Sequence, residues 1–265
     1  TLTGGAAGDT IDTSGVKADT VNGGSGNDTI TAAGGDVVRG DAGNDTINLG
    51  FGNNDADGGD GKDVINLNAG AGNNTIRGAA GDDRIVINSL VDFTAADIVD
   101  GGADTDVLSV QGTIGDAVLT SVTNVEVLEA RSGAASSITL ADQALEAGIV
   151  RVDLLDATAA DTLLVTSKYT ANLTVNSAGG NDTITTGAGA DLISVGIGDY
   201  VIDTGAGADR IRVSGNELTA ADKIAGGTGA DTVELDVTAG AVTAEANLTN
   251  VTGVERFAVV STDGK

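Results

Sequence analysis

A nine-residue phrase recurs along the chain and constrains its fold more than any other feature. Its copies are GGSGNDTIT at residues 23–31, GDAGNDTIN at 40–48, GGDGKDVIN at 58–66 and GGTGADTVE at 226–234. In each copy a glycine-rich bend ends on an aspartate, and a short strand with a central aliphatic residue follows. Glycine turns the chain sharply because it adopts positive φ at little steric cost. Since one repeat is too short to bury a core by itself, the phrase predicts coils that stack on one another.

The bend residue and the aliphatic residue keep a constant separation over two long blocks of the chain. The bend positions are Asp9, Asp19, Asp28, Asp36, Asp45, Asn54, Asp63, Asn74 and Asp83 in the first block and Asp182, Asp191, Asp209, Asp222 and Asp231 in the second, where Tyr200 replaces one aspartate. An aliphatic residue follows two positions later, as Ile30 follows Asp28. Because successive strand side chains point to opposite faces, these residues should form an interior row. The pattern predicts an all-β solenoid with two repeats in a coil of about 18 residues.

Composition limits the chain to oxygen ligands. It has no Cys or His, and its 39 acidic against 13 basic residues give a formal net charge of -26. Thiol nucleophiles, His-dependent triads and His or thiolate sites for zinc or copper are thereby excluded. The negative charge repels nucleic acid and anionic lipid, and no apolar run is long enough to span a membrane. We expect no nucleic-acid partner and no membrane insertion, and the even spacing of the aspartates indicates no enzyme.

Carboxylates and backbone carbonyls are the ligands that calcium prefers. The sequence therefore predicts several Ca²⁺ ions between bends that stack one coil apart, for example where Asp28 stacks on Asp45 and Asp45 on Asp63. The candidate ligands are Asp9, Asp19, Asp28, Asp36, Asp45, Asp63, Asp83, Asp106, Asp182, Asp191, Asp209, Asp222 and Asp231, with Gly23, Gly24, Gly26, Gly40, Gly43, Gly58, Gly59, Gly61, Gly226, Gly227 and Gly229. Asn54 should weaken its site, and Tyr200 should abolish one. The glycine-rich blocks should be disordered without calcium and fold on binding it.

Three segments are predicted. Residues 1–106 form a first calcium-binding block, residues 177–265 form a second one with terminal strands, and residues 107–176 are metal-poor. The middle segment keeps β-branched runs at 136–140, 149–155, 162–166 and 172–176, which predict coils closed without metal. Residues 140–148 are its helical candidate. Five aspartates lie outside the repeat pattern and are expected at the surface: Asp92, Asp142, Asp153, Asp156 and Asp161.

A longer period is superimposed on the nine-residue one. The stretch that begins at Asp83 parallels the stretch that begins at Asp209. Within it Asp106 matches Asp231 and Glu126 matches Glu255, at separations of 125 and 129 residues. The chain therefore holds about two copies of a larger unit, and we expect it to be part of a longer protein.

These motifs resemble the RTX, or haemolysin-type calcium-binding, repeat family, whose consensus is GGxGxDxUx. Residues 23–31, 58–66 and 226–234 match that consensus closely. The resemblance implies a right-handed parallel β-roll or β-helix, calcium-triggered folding and type I secretion from a Gram-negative bacterium. The linking phrases DIVDGGADTDVLSV and DKIAGGTGADTVEL are similar to bacterial surface-layer and adhesin chains.

The sequence leaves three functions open. The first is a secreted calcium-binding structural protein of the bacterial cell surface, in a surface layer or a self-assembling fibre or matrix. Its expected partner is a further copy of itself in a sheet or filament, and a cell-surface polysaccharide is a second candidate. The others are the repeat or stalk region of an RTX adhesin, and the secretion and folding tail of an exoenzyme or toxin. We favour the first, because a repeating acidic solenoid suits assembly through bridging calcium.

Overall fold

The structure is a computed structural model of the 265-residue chain. It describes residues 1–15, 17–68, 70, 72–90, 93–131, 133–214, 218–236 and 248–260. The chain forms two compact units. The first comprises Thr1–Gln111, Ala117–Glu129 and Glu146–Ile149, and the second comprises Gly112–Asp116, Ala130–Leu145 and the described residues from Val150 onwards.

Short strands make up most of both units. The first strands are β1 Leu2–Thr3, β2 Thr10–Thr13, β3 Thr20–Ser25, β4 Thr29–Ala32, β5 Val37–Ala42, β6 Thr46–Leu49, β7 Asp55–Asp60, β8 Val64–Leu67, β9 Thr75–Ala80, β10 Arg84–Ile87, β11 Ile98–Ala103, β12 Val107–Val110, β13 Thr113–Ile114, β14 Val122–Thr123 and β15 Val127–Ala130. They are followed by β16 Ser137–Leu140, β17 Arg151–Leu154, β18 Thr162–Val165, β19 Thr174–Gly179, β20 Thr183–Thr185, β21 Leu192–Ile197, β22 Val201–Asp203, β23 Ala206–Gly207, β24 Arg210–Ser214, β25 Lys223–Ala225, β26 Thr228–Gly229, β27 Thr232–Asp236, β28 Val251–Thr252 and β29 Arg256–Val260. A 3₁₀-helix, η1, spans Asp116–Ser121, and an α-helix, α1, spans Asp142–Ala147.

The strands of each unit alternate between two parallel sheets. In the first unit the orders are β1-β3-β5-β7-β9-β11-β14 and β2-β4-β6-β8-β10-β12-β15. In the second unit they are β13-β16-β18-β20-β22-β25-β28 and β17-β19-β21-β24-β27-β29, with β23 and β26 as a separate pair. Because neighbouring strands of a sheet come from successive coils, the chain is a parallel β-solenoid. The predicted all-β parallel β-roll is confirmed.

The coil has the predicted length where the repeats are most regular. Thr29 pairs with Thr46, and Thr46 pairs with Val64. The bend aspartates that bond across these coils are 17 and 18 residues apart. The separation grows to 20 and then 23 residues further along the first unit. Longer bends absorb the extra residues without changing the register of the strands.

The predicted interior row is buried. Ile30, Ile47 and Ile65 stack in register in neighbouring strands and have no exposed surface. The other predicted members are also buried, namely Ile11, Val21, Val38, Ile76, Ile85, Ile184, Ile193, Ile202, Ile211, Ile224 and Val233. Full burial of one such side chain contributes about 1.5 to 3 kcal/mol. In the regular coils, as in β4, β6 and β8, every second strand residue is buried, and this alternation follows from the central aliphatic position of the repeat.

Residues 107–176, which were predicted to be metal-poor, contain the predicted strands and helix. Strands β17, β18 and β19 overlap the runs predicted at residues 149–155, 162–166 and 172–176. Helix α1 begins at Asp142, two residues later than predicted, because Leu140 ends strand β16. The carboxylate of Asp116 accepts the amide N–H groups of Ala141, Gln143 and Ala144, which satisfies donors at the start of the helix. Within the described residues, both helices have six residues, too few to cross a lipid bilayer.

The longer period also corresponds to a structural repeat. In the first unit the amide of Asp106 donates to Glu126 Oε2 at 2.8 Å, and in the second unit the amide of Asp231 donates to Glu255 Oε2 at the same distance. In both places a glutamate takes the position that an aspartate has in earlier coils. The two sequence copies therefore form the same coil arrangement.

Candidate metal centre

The bend aspartates form a continuous ladder of hydrogen bonds along one edge of the first unit. The amide N–H of Asp28 donates to Asp45 Oδ1, and that of Asp45 donates to Asp63 Oδ1, both at 2.7 Å. We define the glycine edge of the first unit as the bends that end at Asp9, Asp28, Asp45, Asp63, Asp83 and Asp106. Each ladder bond uses one oxygen of a carboxylate, so the second oxygen must find its own partner.

The second oxygen has no protein partner along most of the glycine edge. Oδ2 is buried without a hydrogen bond in Asp28, Asp45, Asp63, Asp83 and Asp106. These residues are at most 1% exposed. A buried charged oxygen without a partner is costly, because it has lost its hydration and gained nothing in return. Five such oxygens in successive coils require a positive charge or a proton.

Glycine leaves space beside each of these oxygens. A Cβ added to Gly58 would collide with Asp63 Oδ2 and would lie 2.7 Å from the carbonyl oxygen of Gly78 in the next coil. The same arrangement of carboxylate and next-coil carbonyl surrounds Gly23, Gly40, Gly78 and Gly101. The anionic oxygen and the carbonyl oxygen therefore meet at a space that any other residue would fill.

The remaining predicted glycines have a different role. Gly61, for example, would direct a Cβ into the carbonyl oxygen of Gly43 in the preceding coil. Glycines that face the preceding coil in this way are Gly24, Gly26, Gly43, Gly59, Gly61, Gly227 and Gly229. Gly59 also has φ of 107°, a value that other residues adopt at a cost. These glycines allow close stacking of the bends, whereas Gly23, Gly40, Gly58 and Gly226 border the carboxylates.

Burial dominates the electrostatics of the glycine edge. It raises the pKa of Asp63 to about 6, and the neighbouring carboxylate of Asp45 adds to the effect. It raises the pKa of Asp83 to about 7, with further contributions from Asp63 and Asp106. The pKa of Asp106 rises to about 6 for the same main reason. A nearby cation would reverse these shifts, because it stabilises the charged carboxylates.

The donor set fits calcium. Among the residues that the structure describes, no three acidic side chains converge on one point, so carbonyl oxygens must supply most ligands of any site. Calcium accepts this mixture of carboxylate and carbonyl oxygens in flexible geometry. Asp Oδ2 and the glycine carbonyl of the next coil would hold the ion, whose charge would offset the buried carboxylates.

The second unit carries the same ladder in the bends that end at Asp191, Asp209 and Asp231, but Thr186 and Thr204 replace the bordering glycine of the first two bends. The amide of Asp191 donates to Asp209 Oδ1 at 2.7 Å, and that of Asp209 donates to Asp231 Oδ1 at 2.9 Å. Oδ2 of all three aspartates is buried without a hydrogen bond. Gly226 borders Asp231 as Gly58 borders Asp63. Burial raises the pKa of Asp209 to about 6.

A family comparison agrees with this arrangement. A model of the RTX calcium-binding nonapeptide repeat matches residues 1–30, 14–36, 30–65, 66–86, 176–211 and 219–236, which together are more than half of the chain. The chain belongs to this RTX family. No curated protein matches the chain. RTX repeats bind multiple Ca²⁺ ions, which confirms the predicted cofactor, and they are typical of secreted proteins.

The other edge of the first unit carries RTX-like bends with a different chemistry. We define this opposite edge as the bends that end at Asp19, Asp36, Asn54, Asn74 and Asp97. The same ladder runs along it, as from the amide of Asp36 to Asn54 Oδ1 at 3.0 Å. In the second unit the opposite edge consists of the bends that end at Asp161, Asp182, Tyr200 and Asp222.

Five predicted ligands differ from the buried glycine-edge aspartates, and the first is Asp36, whose Oδ2 accepts the hydroxyl of Thr13 and the amide N–H of Ala33. Asp9 and Asp19 are only half-buried, and Asp9 Oδ2 accepts the amide N–H of Gly5 at 2.6 Å. Asp182 Oδ2 accepts the hydroxyl of Ser177. Asp222 Oδ2 accepts the amide N–H of Thr219 at 2.6 Å. Calcium ligation at the individual residues stays a prediction.

Three aspartates expected at the surface are buried instead, so that expectation was wrong for them. Asp153 bonds to Arg151 and Asn176, and Asp156 accepts amide N–H groups from Gly133, Thr158 and Ala159. These amide bonds, that of Gly133 first, lower the pKa of Asp156. Asp161 lies on the opposite edge of the second unit, with Oδ2 buried and without a partner. The Asp142 side chain is half-exposed and pairs with Lys168, and Asp92 lies outside the described residues.

One sequence signal could have identified Asp97 and Asp161 as bend residues. The sequence Thr-Ala-Ala-Asp occurs at residues 94–97, 158–161 and 219–222. Each copy ends on an aspartate whose Oδ1 accepts an amide N–H from a neighbouring coil. The glycine-centred phrase does not include this second type of bend.

Proposed function

We propose that this RTX chain is a secreted, calcium-stabilised structural protein of the bacterial cell surface, acting in a surface layer or a self-assembling extracellular fibre. One observation carries the proposal. The aspartates from Asp28 to Asp106 whose Oδ2 is buried without a hydrogen bond are stacked in a row across successive coils and do not converge in a cleft. A row of this kind uses ligand binding to hold a fold together.

The surface grooves support a structural role over an enzymatic one. One groove in the first unit is lined by residues that include Arg39, Asp41 and Asp57. A groove in the second unit is lined by residues that include Asp203 and Lys223. Neither includes one of the buried carboxylates with raised pKa values. We therefore propose that neither groove is an active site.

Charge supports self-association through calcium. The net charge of -26 makes two copies of the chain repel each other unless cations neutralise the contact. Calcium present at the high concentrations found outside cells would supply that neutralisation and fill the coil sites together. We propose a further copy of this chain as the main partner, in a sheet or filament, and a cell-surface polysaccharide as a second partner. The same charge opposes binding to nucleic acid and membrane insertion.

Electron microscopy of the purified chain tests this function. In millimolar calcium we expect ordered sheets or filaments that disperse on addition of EGTA and do not form in equal magnesium. Separate rods at every calcium concentration would contradict self-assembly and would favour an adhesin stalk or a secretion tail. The surface location is tested by washing producing cells with EGTA, which should release the protein. Retention inside the cells would contradict secretion.

A further inference from the structure

We propose that calcium in the first unit is confined to the glycine edge, and that the opposite edge is closed by hydrogen bonds of the protein alone. This inference rests on the calcium-stabilised role proposed above and specifies which of the two rows binds the ions. Both edges carry the same ladder of bend residues, so the difference must lie in what surrounds the second side-chain oxygen or nitrogen.

From Asp28 to Asp106, the glycine edge offers no protein partner to the second carboxylate oxygen. Five consecutive bends place Oδ2 of their aspartate in the interior without a hydrogen bond, beside a glycine and a carbonyl oxygen of the next coil. The carboxylate oxygen and the carbonyl oxygen at this position are both hydrogen-bond acceptors, and no N–H or O–H donor of the protein reaches the carboxylate oxygen. A cation would satisfy both oxygens. The position therefore has the chemistry of an oxygen-lined cation site.

Asp36 on the opposite edge has a complete set of partners. Its Oδ1 accepts the amide N–H of Asp19 at 2.7 Å. Its Oδ2 accepts the hydroxyl of Thr13 at 2.8 Å and the amide N–H of Ala33 at 3.1 Å. Three donors already stabilise the negative charge, and a cation at the same place would have to displace two of them.

Asn54 supplies donors where a cation would otherwise be needed. Its side-chain Nδ2 donates to the carbonyl oxygens of Gly50 at 3.0 Å and Gly52 at 3.3 Å, and to Asn74 Oδ1 at 3.2 Å. The carbonyls of this bend thus point at an amide group of the protein. Because an amide N–H and a calcium ion satisfy the same carbonyl oxygens, Asn54 replaces the ion instead of merely weakening its site.

Asp97 completes the opposite edge with a local bond. Its Oδ2 accepts the amide N–H of Thr94 at 2.9 Å, and its Oδ1 accepts both the amide and the side-chain N–H of Asn74. From Asp36 to Asp97, every bend residue of this edge has its side chain satisfied within the protein. In the second unit Asp222 Oδ2 binds the amide of Thr219 and Asp231 Oδ2 has no partner, but Asp161 Oδ2 on the opposite edge also has none, so the contrast is complete only in the first unit.

A matched pair of substitutions tests the inference. Asp63→Asn removes a charge from the glycine edge, and Asp36→Asn removes one from the opposite edge. Asparagine keeps an oxygen for the ladder bond, as Asn54 does for the amide of Asp36. We expect Asp63→Asn to reduce the number of bound calcium ions, measured by equilibrium dialysis and elemental analysis, and to raise the calcium midpoint of folding about tenfold. We expect Asp36→Asn to leave the number of bound ions unchanged.

Equal losses in the two variants, or no loss in Asp63→Asn, would overturn the inference. A second pair, Asp45→Asn and Asp97→Asn, gives the same comparison if a variant of the first pair does not fold. Circular dichroism at saturating calcium identifies folded variants. Electron microscopy tests the proposed assembly separately. If the protein forms sheets but the two variants lose equal numbers of calcium ions, only the one-edge inference is refuted. If the variants lose unequal numbers of calcium ions but the protein forms no sheets, only self-assembly is refuted.

Discussion

Asp63 and Asp36 hold the same place in their bends, yet their second carboxylate oxygens have different surroundings. Both accept a ladder bond at 2.7 Å through Oδ1. Oδ2 of Asp63 is then left without a partner beside Gly58, whereas Oδ2 of Asp36 accepts donors from Thr13 and Ala33. The two bends therefore differ in the surroundings of the second oxygen and not in the aspartate itself, which is why we expect calcium beside Asp63 and not beside Asp36.

Removal of calcium should produce the largest effect. Because the glycine edge buries several carboxylates without donors, we expect EGTA to abolish most of the β signal in far-ultraviolet circular dichroism, and added calcium to restore it. Magnesium serves as the control, since it does not readily give up water for such ligands. An unchanged β spectrum in EGTA would show that the edge does not depend on calcium.

Acid should partly replace calcium. Burial raises the pKa of Asp63 to about 6 and that of Asp83 to about 7, above the value of about 4 in an unfolded chain. Between about pH 4 and pH 7 the folded state binds more protons than the unfolded state, so the free energy of unfolding in EGTA falls as pH rises. We expect β content in EGTA to increase on acidification from about pH 7.5 to about pH 4.5.

The matched control is the double variant Asp63→Asn, Asp83→Asn, whose response to pH should be smaller. In saturating calcium the direction should reverse, because protons compete with the ion for the same oxygens. A chelated protein that loses β structure in acid would contradict the buried, charged row.

A side chain in the space beside one glycine-edge aspartate should prevent calcium binding at that aspartate. Gly58→Ala would put a Cβ against Asp63 Oδ2 and the carbonyl of Gly78. We expect it to lower the free energy of unfolding in calcium by about 1 to 3 kcal/mol through overpacking, and to lose calcium as well. Gly15→Ala is the control, because nothing lies within 4 Å of its added Cβ. Equal unfolding curves for the two variants would show that the space beside Asp63 has no importance.

Relief of backbone strain should have the smallest effect. Ala79 has φ of 84° in the bend that ends at Asp83, at the position where Gly59 stands in the preceding coil. Ala79→Gly should raise the free energy of unfolding by about 1 kcal/mol, because glycine adopts this conformation without strain. Ala80→Gly, at a neighbouring exposed residue without positive φ, should be neutral or destabilising. Urea unfolding in calcium measures both.

The sequence predicted the coil well because its period is repeated many times. Ile30, Ile47 and Ile65 occupy the same position in successive repeats, so the interior row and the coil length follow directly. The sequence could not show that Asp63 and Asp36 differ in the donors to their second carboxylate oxygen. The donors to Asp36 are Thr13 in an earlier coil and Ala33 in the bend itself. Asp153 and Asp161 were misplaced for a similar reason. Their partners, Asn176 and Ser136, are distant in sequence and belong to no glycine phrase.

An anomalous difference map from crystals grown in calcium would locate the bound ions. We expect peaks along the glycine edge, beside Asp28, Asp45, Asp63 and Asp83, and no peak beside Asp36, Asn54, Asn74 or Asp97. Peaks of similar height along both edges would contradict the confinement of calcium to one row. A map without peaks beside the glycine-edge aspartates would contradict the account of the buried carboxylates altogether.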